Sequence, residues 1–498
     1  MIPIILGISS LLTPSAKINS LYHSLDPSSI AQALAFYELY PETKEGTLAL
    51  QRVHELLGGD LILEGVNENL GKALKGVMSL VNRDTCIEKV ILTDRELTYI
   101  KQLGRVLSNR KLRGYYARTE EEMLALDPSD YDLGRALLLT QLADNPEDLQ
   151  TYEAMLDLMA LQVKARLPPQ STPEQKIEWL NRFIFYEMHF RFPPHSLYAQ
   201  DIDLYTFLPS VLDNHLGVCL GVTTLYLALA QRLDLPLEVV TPPGHIYCRY
   251  REGDKEINIE TTARGVHMPT EIYLSVGTRA SKIRNIKEVV GMTHVNQASI
   301  YLHRKDYSKA LSSYKKAECY LPHDPLVDEL IGVTYFLLGQ EKEGRDYLSK
   351  VKGIVLDENV VAETRAIDIL EGNADTGAIE AILMEVNDQR SSILEKKQAL
   401  EKALESNPYF REGLIQLAVT HLQLNRTKEG LQTLKRYHAF DQTNPTVEYY
   451  LAALYAERKD YRSAWKHLDK AKAITQSRNH KSKTLNTLEK ELERVSPS

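Results

Sequence analysis

The stretch HLGVCLGVTTLYLALA, residues 215–230, decides how the middle of this chain folds. A polar turn leads into an apolar helix whose core-facing positions keep helical spacing: Val222, Leu225, Tyr226, Leu229 and Leu233. Cys219 stands between Gly217 and Gly221, at or just before the first turn of that helix. A cysteine alone at such a place is typical of a small buried residue. The N–H groups of a first helical turn, however, also stabilise a thiolate or an oxyanion.

A nucleophilic cysteine needs a base, and the segment TPPGHIYCRYREGDKEINIETT (241–262) offers one. Alternating apolar residues predict two strands joined by a turn at REGD (251–254), with His245 opening the first strand. His215 and His267 are competing bases. Cys248 falls on the apolar side of its strand and is predicted to be a core residue.

The turn allows two registers between these strands. If Glu252 and Gly253 form the central pair, Glu260 lies opposite His245; one residue later, Glu260 lies diagonal to it. Both registers place His245, Asn258 and Glu260 on one face, because side chains alternate with a period of two.

Several polar residues are therefore candidates for supporting roles around this pair. Glu260, or Asn258 as its rival, would fix the tautomer of His245. Asn214 and His215 precede the cysteine and would either donate to an oxyanion or cap the turn.

Beyond residue 290 the chain repeats with a period of 34 residues. The first copy has small, aromatic and proline positions at Ala298, Tyr301, Ala310, Tyr314, Ala317 and Pro322. A looser copy follows from Gly332, and two more begin at Ala418 and Ala452. This pattern predicts paired helices of the tetratricopeptide type, in about four or five repeats with a degenerate middle.

The motifs GVC, PPGH and NIETT, in this order, resemble those of the transglutaminase-like superfamily of papain-like thiol proteins. With the repeats, the chain resembles in particular the bacterial transglutaminase-core proteins that carry tetratricopeptide repeats. The resemblance covers roughly residues 130–290 and implies a nucleophile at Cys219, a base at His245 and a third member at Glu260. The family has aspartate at the third position. Ile246 also stands where active transglutaminases commonly have a small residue before tryptophan.

The fold expected from these patterns is α+β. A helical region (1–125) precedes a papain/transglutaminase-like core of helices and a small antiparallel sheet (126–290). A tetratricopeptide α-solenoid (291–480) and a polar tail (481–498) follow.

Composition limits the function classes. The 498 residues carry a net charge of −8, which argues against a general nucleic-acid binder. Cys86, Cys219, Cys248 and Cys319 form no C-x-x-C pair, and no phosphate loop occurs, so neither a metal nor a cofactor is expected.

The same features bear on localisation. Scattered cysteines fit a reducing compartment, so the cytoplasm is expected. The apolar N-terminal run (1–17) keeps export as a lesser alternative, and no stretch has the length of a membrane span.

The sequence thus favours a cysteine acyl-transfer or hydrolysis enzyme of the peptidase or amidase type. Its repeats would bind a protein or peptide partner on their concave face. The alternative is a catalytically silent core that acts with the repeats as a protein-interaction scaffold.

Overall fold

The computed structural model describes residues 14–57, 92–193, 205–387 and 389–496. Most of the N-terminal apolar run and Cys86 lie outside the described residues. Contacts divide the chain into two compact units. Unit 1 comprises Met1–Arg191, Leu208–Leu216 and Thr224–Pro236, and unit 2 comprises Phe192–Phe207, Gly217–Thr223 and Leu237–Ser498. The division at residues 125, 290 and 480 stays a prediction.

Unit 1 is helical in its described residues. Its α-helices are α1 (Pro14–His23), α2 (Ile30–Leu39), α3 (Lys44–Leu56), α4 (Asp94–Leu103), α5 (Glu120–Leu124), α6 (Leu133–Leu142), α7 (Pro146–Lys164), α8 (Pro173–Asn181) and α9 (Leu208–Asn214). Helix α10 (Cys219–Arg232) has residues in both units.

Helix α8 shows how local sequence sets these boundaries. Thr172 caps it in a capping box with Gln175, and Pro173 occupies its first turn. Directly after α8 the chain forms a π-helical turn, Arg182–Glu187.

Unit 2 contains a four-stranded antiparallel sheet in the order β3-β2-β1-β4. Its strands are β1 (Glu238–Thr241), β2 (Tyr247–Glu252), β3 (Lys255–Ile259) and β4 (Lys282–Arg284). The hairpin pattern predicts β2 and β3, and the apolar segment LEVV (237–240) predicts β1. No pattern predicts β4, which is only three residues long.

The β2–β3 hairpin adopts the second of the two predicted registers. Cys248 pairs with Ile259 and Glu252 with Lys255, so Gly253 and Asp254 form the central pair. Gly253 has φ +57°, a left-handed conformation that glycine adopts without the usual steric cost. The prediction that His245 opens a strand is wrong, because β2 begins at Tyr247 and His245 still lies in the preceding turn.

The rest of unit 2 is a series of paired helices. They are α11 (Ile286–His303), α12 (Tyr307–Tyr320), α13 (Pro325–Leu337), α14 (Glu341–Val351), α15 (Arg365–Leu370), α16 (Thr376–Leu383), α17 (Arg390–Ser406), α18 (Arg411–Gln423), α19 (Thr427–Phe440), α20 (Pro445–Glu457), α21 (Tyr461–Gln476) and α22 (Lys483–Val495).

The repeat positions explain this helix pairing. Ala298, Ala310, Tyr314 and Ala317 are fully buried in one continuous apolar core. Small side chains there let paired helices approach closely, as in tetratricopeptide repeats. The degenerate middle corresponds to the short helices α15 and α16.

Within unit 2, the segment that contains β4 binds the repeat helices. Lys282 and Arg284 form ion pairs with Asp324, whose carboxylate is 6% exposed. Farther along the array, the imidazole of His480 makes a 2.7 Å hydrogen bond with the carbonyl of Ser275. Sheet and repeats are therefore parts of one compact unit. No helix in the described ranges is long and apolar enough to cross a membrane.

Candidate active site

Cys219 is the first residue of helix α10. The carbonyl of Val218 accepts the first helical hydrogen bond, from the N–H of Val222 at 3.0 Å. The N–H of Val218 is anchored to the carbonyl of Tyr205 at 2.8 Å. The half-buried thiol therefore sits at the positive end of the helix dipole, as the sequence predicts.

The glycine before Cys219 has a packing role that the sequence did not reveal. A Cβ on Gly217 would lie 2.5 Å from the Cγ2 atom of Val222. The close approach at Gly217 is therefore made by the chain's own helix.

His245 ends a tight turn and faces both other candidate residues. Gly244 has φ +70°, and the N–H of His245 donates to the carbonyl of Pro242 at 3.1 Å. The Nε2 atom of His245 lies 2.7 Å from Oε2 of Glu260, and Cys219 is close enough to act on the pKa of the ring.

The protonation state of His245 follows from these two partners. Burial lowers the pKa of the imidazole, but hydrogen bonds and charge interactions with Cys219 and Glu260 outweigh burial and raise it to about 9. At neutral pH the ring is therefore an imidazolium beside the thiol.

Glu260 is held as a carboxylate by a set of donors. Its Oε1 accepts from the N–H of Thr262 at 3.1 Å and from the Thr262 hydroxyl at 2.5 Å. Its Oε2 accepts from the hydroxyl of Tyr273 at 2.5 Å as well as from His245. Burial raises the pKa of Glu260, whose side chain is 5% exposed, but these hydrogen bonds hold it below its ordinary value.

Tyr273 is a site residue that sequence reasoning missed. Its ring stacks on His245, with centroids 5.5 Å apart, and on Tyr247, with centroids 4.5 Å apart. Tyr273 thus fixes the imidazole plane and the Glu260 carboxylate at once. An aromatic residue in EIYLS (271–275) carries no local signal of this role.

A second missed feature connects the cysteine helix to the carboxylate. The hydroxyls of Thr223 and Thr261 lie 2.8 Å apart, and both residues are buried. Thr223 is one helical turn after Cys219, and Thr261 follows Glu260 directly. This hydrogen bond therefore sets the distance between the nucleophile helix and the orienting group.

Asn258, the rival orienter, is engaged elsewhere. Its carbonyl oxygen accepts from Nε of Arg249 at 2.8 Å, and its amide nitrogen donates to Met268 O and to the Thr270 hydroxyl. The backbone N–H of Asn258 donates to Nδ1 of His267. These contacts favour Glu260, rather than Asn258, as the partner of His245. The ring of His267 contacts the backbone of Asn258.

The remaining candidates occupy distinct places. The amide of Asn214 donates to the carbonyl of Ser210 within α9, and His215 stacks on Phe190 with centroids 4.5 Å apart. Their oxyanion role stays a prediction. Cys248 is fully buried, as expected of a core residue, whereas Cys319 is exposed on α12.

Comparison with known proteins begins with the family of the core. Residues 150–280 match the core profile of the transglutaminase-like superfamily, Transglut_core2. The sequence has no significant match among curated proteins.

Several solved structures resemble part of this chain. YrrB, described as a tetratricopeptide protein with an unusual peptide-binding site, is 18% identical over 40% of this chain and 92% of its own, with a TM-score of 0.22. A mutant form of MamA is 16% identical over 38% and 98%, with a TM-score of 0.20. MamA from Desulfovibrio magneticus RS-1 is 13% identical over 38% and 97%, with a TM-score of 0.21.

The family match covers the cysteine helix, the hairpin and the segment that contains Tyr273. The helix pairs that follow have the spacing and buried small residues of tetratricopeptide repeats. Residues 150–280 therefore belong to the transglutaminase-like superfamily, in a chain that continues into tetratricopeptide-like repeats.

Proposed function

We propose that this chain is a thiol acyl-transfer or hydrolysis enzyme of the peptidase or amidase type. Cys219 is the nucleophile, His245 the proton carrier and Glu260 the residue that orients His245. The observation that carries the proposal is that His245 is 2.7 Å from Glu260 and is close enough to Cys219 for the thiol to raise the pKa of its ring. A nucleophile, a base and an orienting carboxylate brought together in this way form the arrangement that covalent catalysis requires.

The reaction starts from the pair in which His245 already holds the proton of Cys219, and the thiolate sulfur attacks the carbonyl carbon of an amide. The carbonyl π electrons move to oxygen, and the resulting oxyanion is stabilised by N–H groups at the start of α10. The imidazolium then protonates the leaving amine, and the C–N bond breaks to leave a thioester on Cys219.

The thioester is released by a second nucleophile. Water or an amine attacks the acyl carbon, His245 accepts its proton, and the C–S bond breaks. The thiolate that leaves and the proton on His245 restore the starting pair. Water gives hydrolysis and an amine gives acyl transfer, so one site supports both outcomes.

The repeats would supply the partner surface. A groove of about 790 Å³ lies among α20, α22 and the segment Glu271–Leu274. Ile272 and Leu274 line it, and Tyr273 between them contacts His245 and Glu260. A protein segment bound there would lie beside the residues that hold the candidate triad, which supports repeat-mediated delivery of a protein or peptide substrate.

Thiol labelling separates an enzyme from a silent scaffold. In the intact chain at pH 7, we expect iodoacetamide to alkylate Cys219 at least about tenfold faster than Cys319, because a thiolate rather than a thiol reacts. Exposure alone predicts the opposite order, since Cys319 is exposed and Cys219 is half-buried. Quantitative peptide mass spectrometry gives both rates in one sample, with buried Cys248 as the slow reference.

If Cys219 reacts no faster than Cys319, the proposed enzyme is ruled out. The catalytically silent interaction scaffold is then the better description of the chain.

Tyr273→Phe tests how the carboxylate is held. The variant keeps the ring stack but removes a hydrogen bond to Glu260. We expect the pH at which the rate of Cys219 alkylation falls on the acid side to rise by roughly one unit. Without the bond from Tyr273, Glu260 is protonated more easily, and a neutral Glu260 no longer stabilises the imidazolium of His245. A hydrogen bond to a charged group contributes about 1.5–3 kcal/mol, and one pKa unit corresponds to about 1.4 kcal/mol.

Tyr247→Phe is the matched control. Its hydroxyl accepts from Arg249, and its ring also stacks on Tyr273. The acid limb should stay in place in this variant. An equal shift in both variants would mean that the effect comes from loosened packing rather than from Glu260.

A further inference from the structure

A second cluster of chemically active side chains lies in the last repeats, apart from the residues described above. His438 on α19, Glu448 on α20 and His467 on α21 bring one donor atom each within 4.8 Å of one another. The Nδ1 atom of His467 is 2.6 Å from Oε2 of Glu448, and Nε2 of His438 is 3.1 Å from Oε1. Each imidazole thus approaches a different carboxylate oxygen.

The cluster is enclosed by the repeat helices. The Glu448 side chain is 1% exposed, His467 10% and His438 22%. His467 is also fixed by stacking on Tyr455, with the ring planes 7° apart. A buried carboxylate between two rigidly held imidazoles costs free energy unless its charge is compensated.

We propose that His438, Glu448 and His467 bind one zinc ion. Two imidazole nitrogens and one carboxylate oxygen are a ligand set that zinc takes in proteins, with a fourth position left for water. Three ligands from three successive helices would tie the last two repeats together. The three ligands come from separate helices, so they form no short metal-binding motif in the sequence.

One geometric feature favours a metal over a simple ion-pair network. The facing atoms His438 Nε2 and Glu448 Oε1 are buried and 3.1 Å apart, yet they are not aligned as a hydrogen bond.

Lys470 is the competitor for this position. Its Nζ atom lies 3.1 Å from Oε1 of Glu448 and 2.5 Å from the side-chain oxygen of Gln442. An ammonium group next to Glu448 opposes a divalent cation by like-charge repulsion. The side chain is 32% exposed and reaches solvent, so bound zinc would displace it outward.

Cobalt titration of the metal-free chain tests the proposal, since Co²⁺ takes the same ligands as zinc and absorbs visible light. We expect one equivalent to produce a saturable ligand-field absorption that Zn²⁺ abolishes. Glu448→Gln, His438→Gln and His467→Gln should each weaken binding at least about tenfold. Lys470→Met should tighten it roughly tenfold, because the competing charge is gone.

His421→Gln on α18 is the matched control, since His421 is also a buried histidine and lies outside the cluster, so the substitution should leave binding unchanged. Fluorescence of Trp465, two residues from His467, reports whether each variant keeps its fold. The proposal is overturned if the wild-type chain gives no saturable absorption. It is equally overturned if folded His438→Gln and His467→Gln bind cobalt as the wild type does.

Discussion

His245→Ala should slow alkylation of Cys219 at pH 6 by at least about 100-fold. In the proposed enzyme the imidazolium of His245 is the counter-ion of the thiolate that reacts. Without it, a thiol with an ordinary pKa of about 8.5 is ionised to less than about 1% at pH 6. The rate constant for iodoacetamide labelling, followed by peptide mass spectrometry, measures the loss.

The pH dependence of this difference has a definite sign. The pKa of His245 is raised to about 9, so the imidazolium is present below that pH and disappears above it. The wild-type rate should therefore exceed the variant rate most at acid and neutral pH, and the two should converge as the pH passes about 9. A constant ratio across this range would contradict an ion-pair origin.

His267→Ala is the control for His245→Ala, because His267 is a second histidine that contacts the same hairpin. Its Nδ1 accepts from the backbone N–H of Asn258, and we expect its loss to leave Cys219 labelling within about twofold of the wild type. If His267→Ala slows labelling as strongly as His245→Ala, the base has been assigned to the wrong histidine.

Arg232→Met should cost unit 1 about 3–5 kcal/mol in free energy of unfolding. The Arg232 side chain has no solvent exposure, donates from Nε to Asp157 at 2.9 Å and lies 3.7 Å from Asp132. Both carboxylates are buried as well. Arg110 still pairs with Asp157 in the variant, but Asp132 loses the guanidinium that faces it and Asp157 loses one of its two partners. Methionine keeps much of the volume, which separates the loss of charge from a cavity.

Arg52→Met is the matched exposed control. Arg52 pairs with Glu55 in the same unit, but the two side chains are 42% and 50% exposed. Such surface pairs contribute about 0–1 kcal/mol, so little change is expected.

The measurement can be made specific to unit 1. Of the two tryptophans, Trp179 belongs to unit 1 and Trp465 to unit 2. In a Trp465→Phe background, urea unfolding followed by fluorescence therefore reports unit 1 alone. If Arg232→Met and Arg52→Met lower the free energy of unfolding by the same amount, the buried ion pairs of Arg232 do not contribute the stability proposed here.

Part of the candidate site could be predicted from the alternation of residues along the two hairpin segments. The alternation in HIYCRY and EINIE places His245 and Glu260 on one face in either register, and the structure joins them by a 2.7 Å hydrogen bond. The register itself was open, since REGD allows two turns. The structure has Gly253 and Asp254 as the central pair of the turn.

Other parts of the site left no pattern in the sequence. Tyr273 reaches Glu260 and His245 from a segment outside any strand, and Thr223 meets Thr261 from another element. In the sequence, Arg232 is an ordinary charged residue near the end of a helix. Its burial and its ion pair with Asp157 are visible only in the folded chain. Each of these contacts joins residues of ordinary type that are distant in the chain.

The sequence by itself determined the start of the cysteine helix, the alternation of the hairpin strands and the 34-residue repeat. Those features are local and periodic, because helix and strand geometry impose a fixed spacing on apolar residues. Only the tertiary structure decided which side chains surround His245, how Arg232 is neutralised, and that His438, Glu448 and His467 meet. Contacts between separate helices and strands depend on how these elements pack in three dimensions. The spacing of residues within one element does not predict that packing.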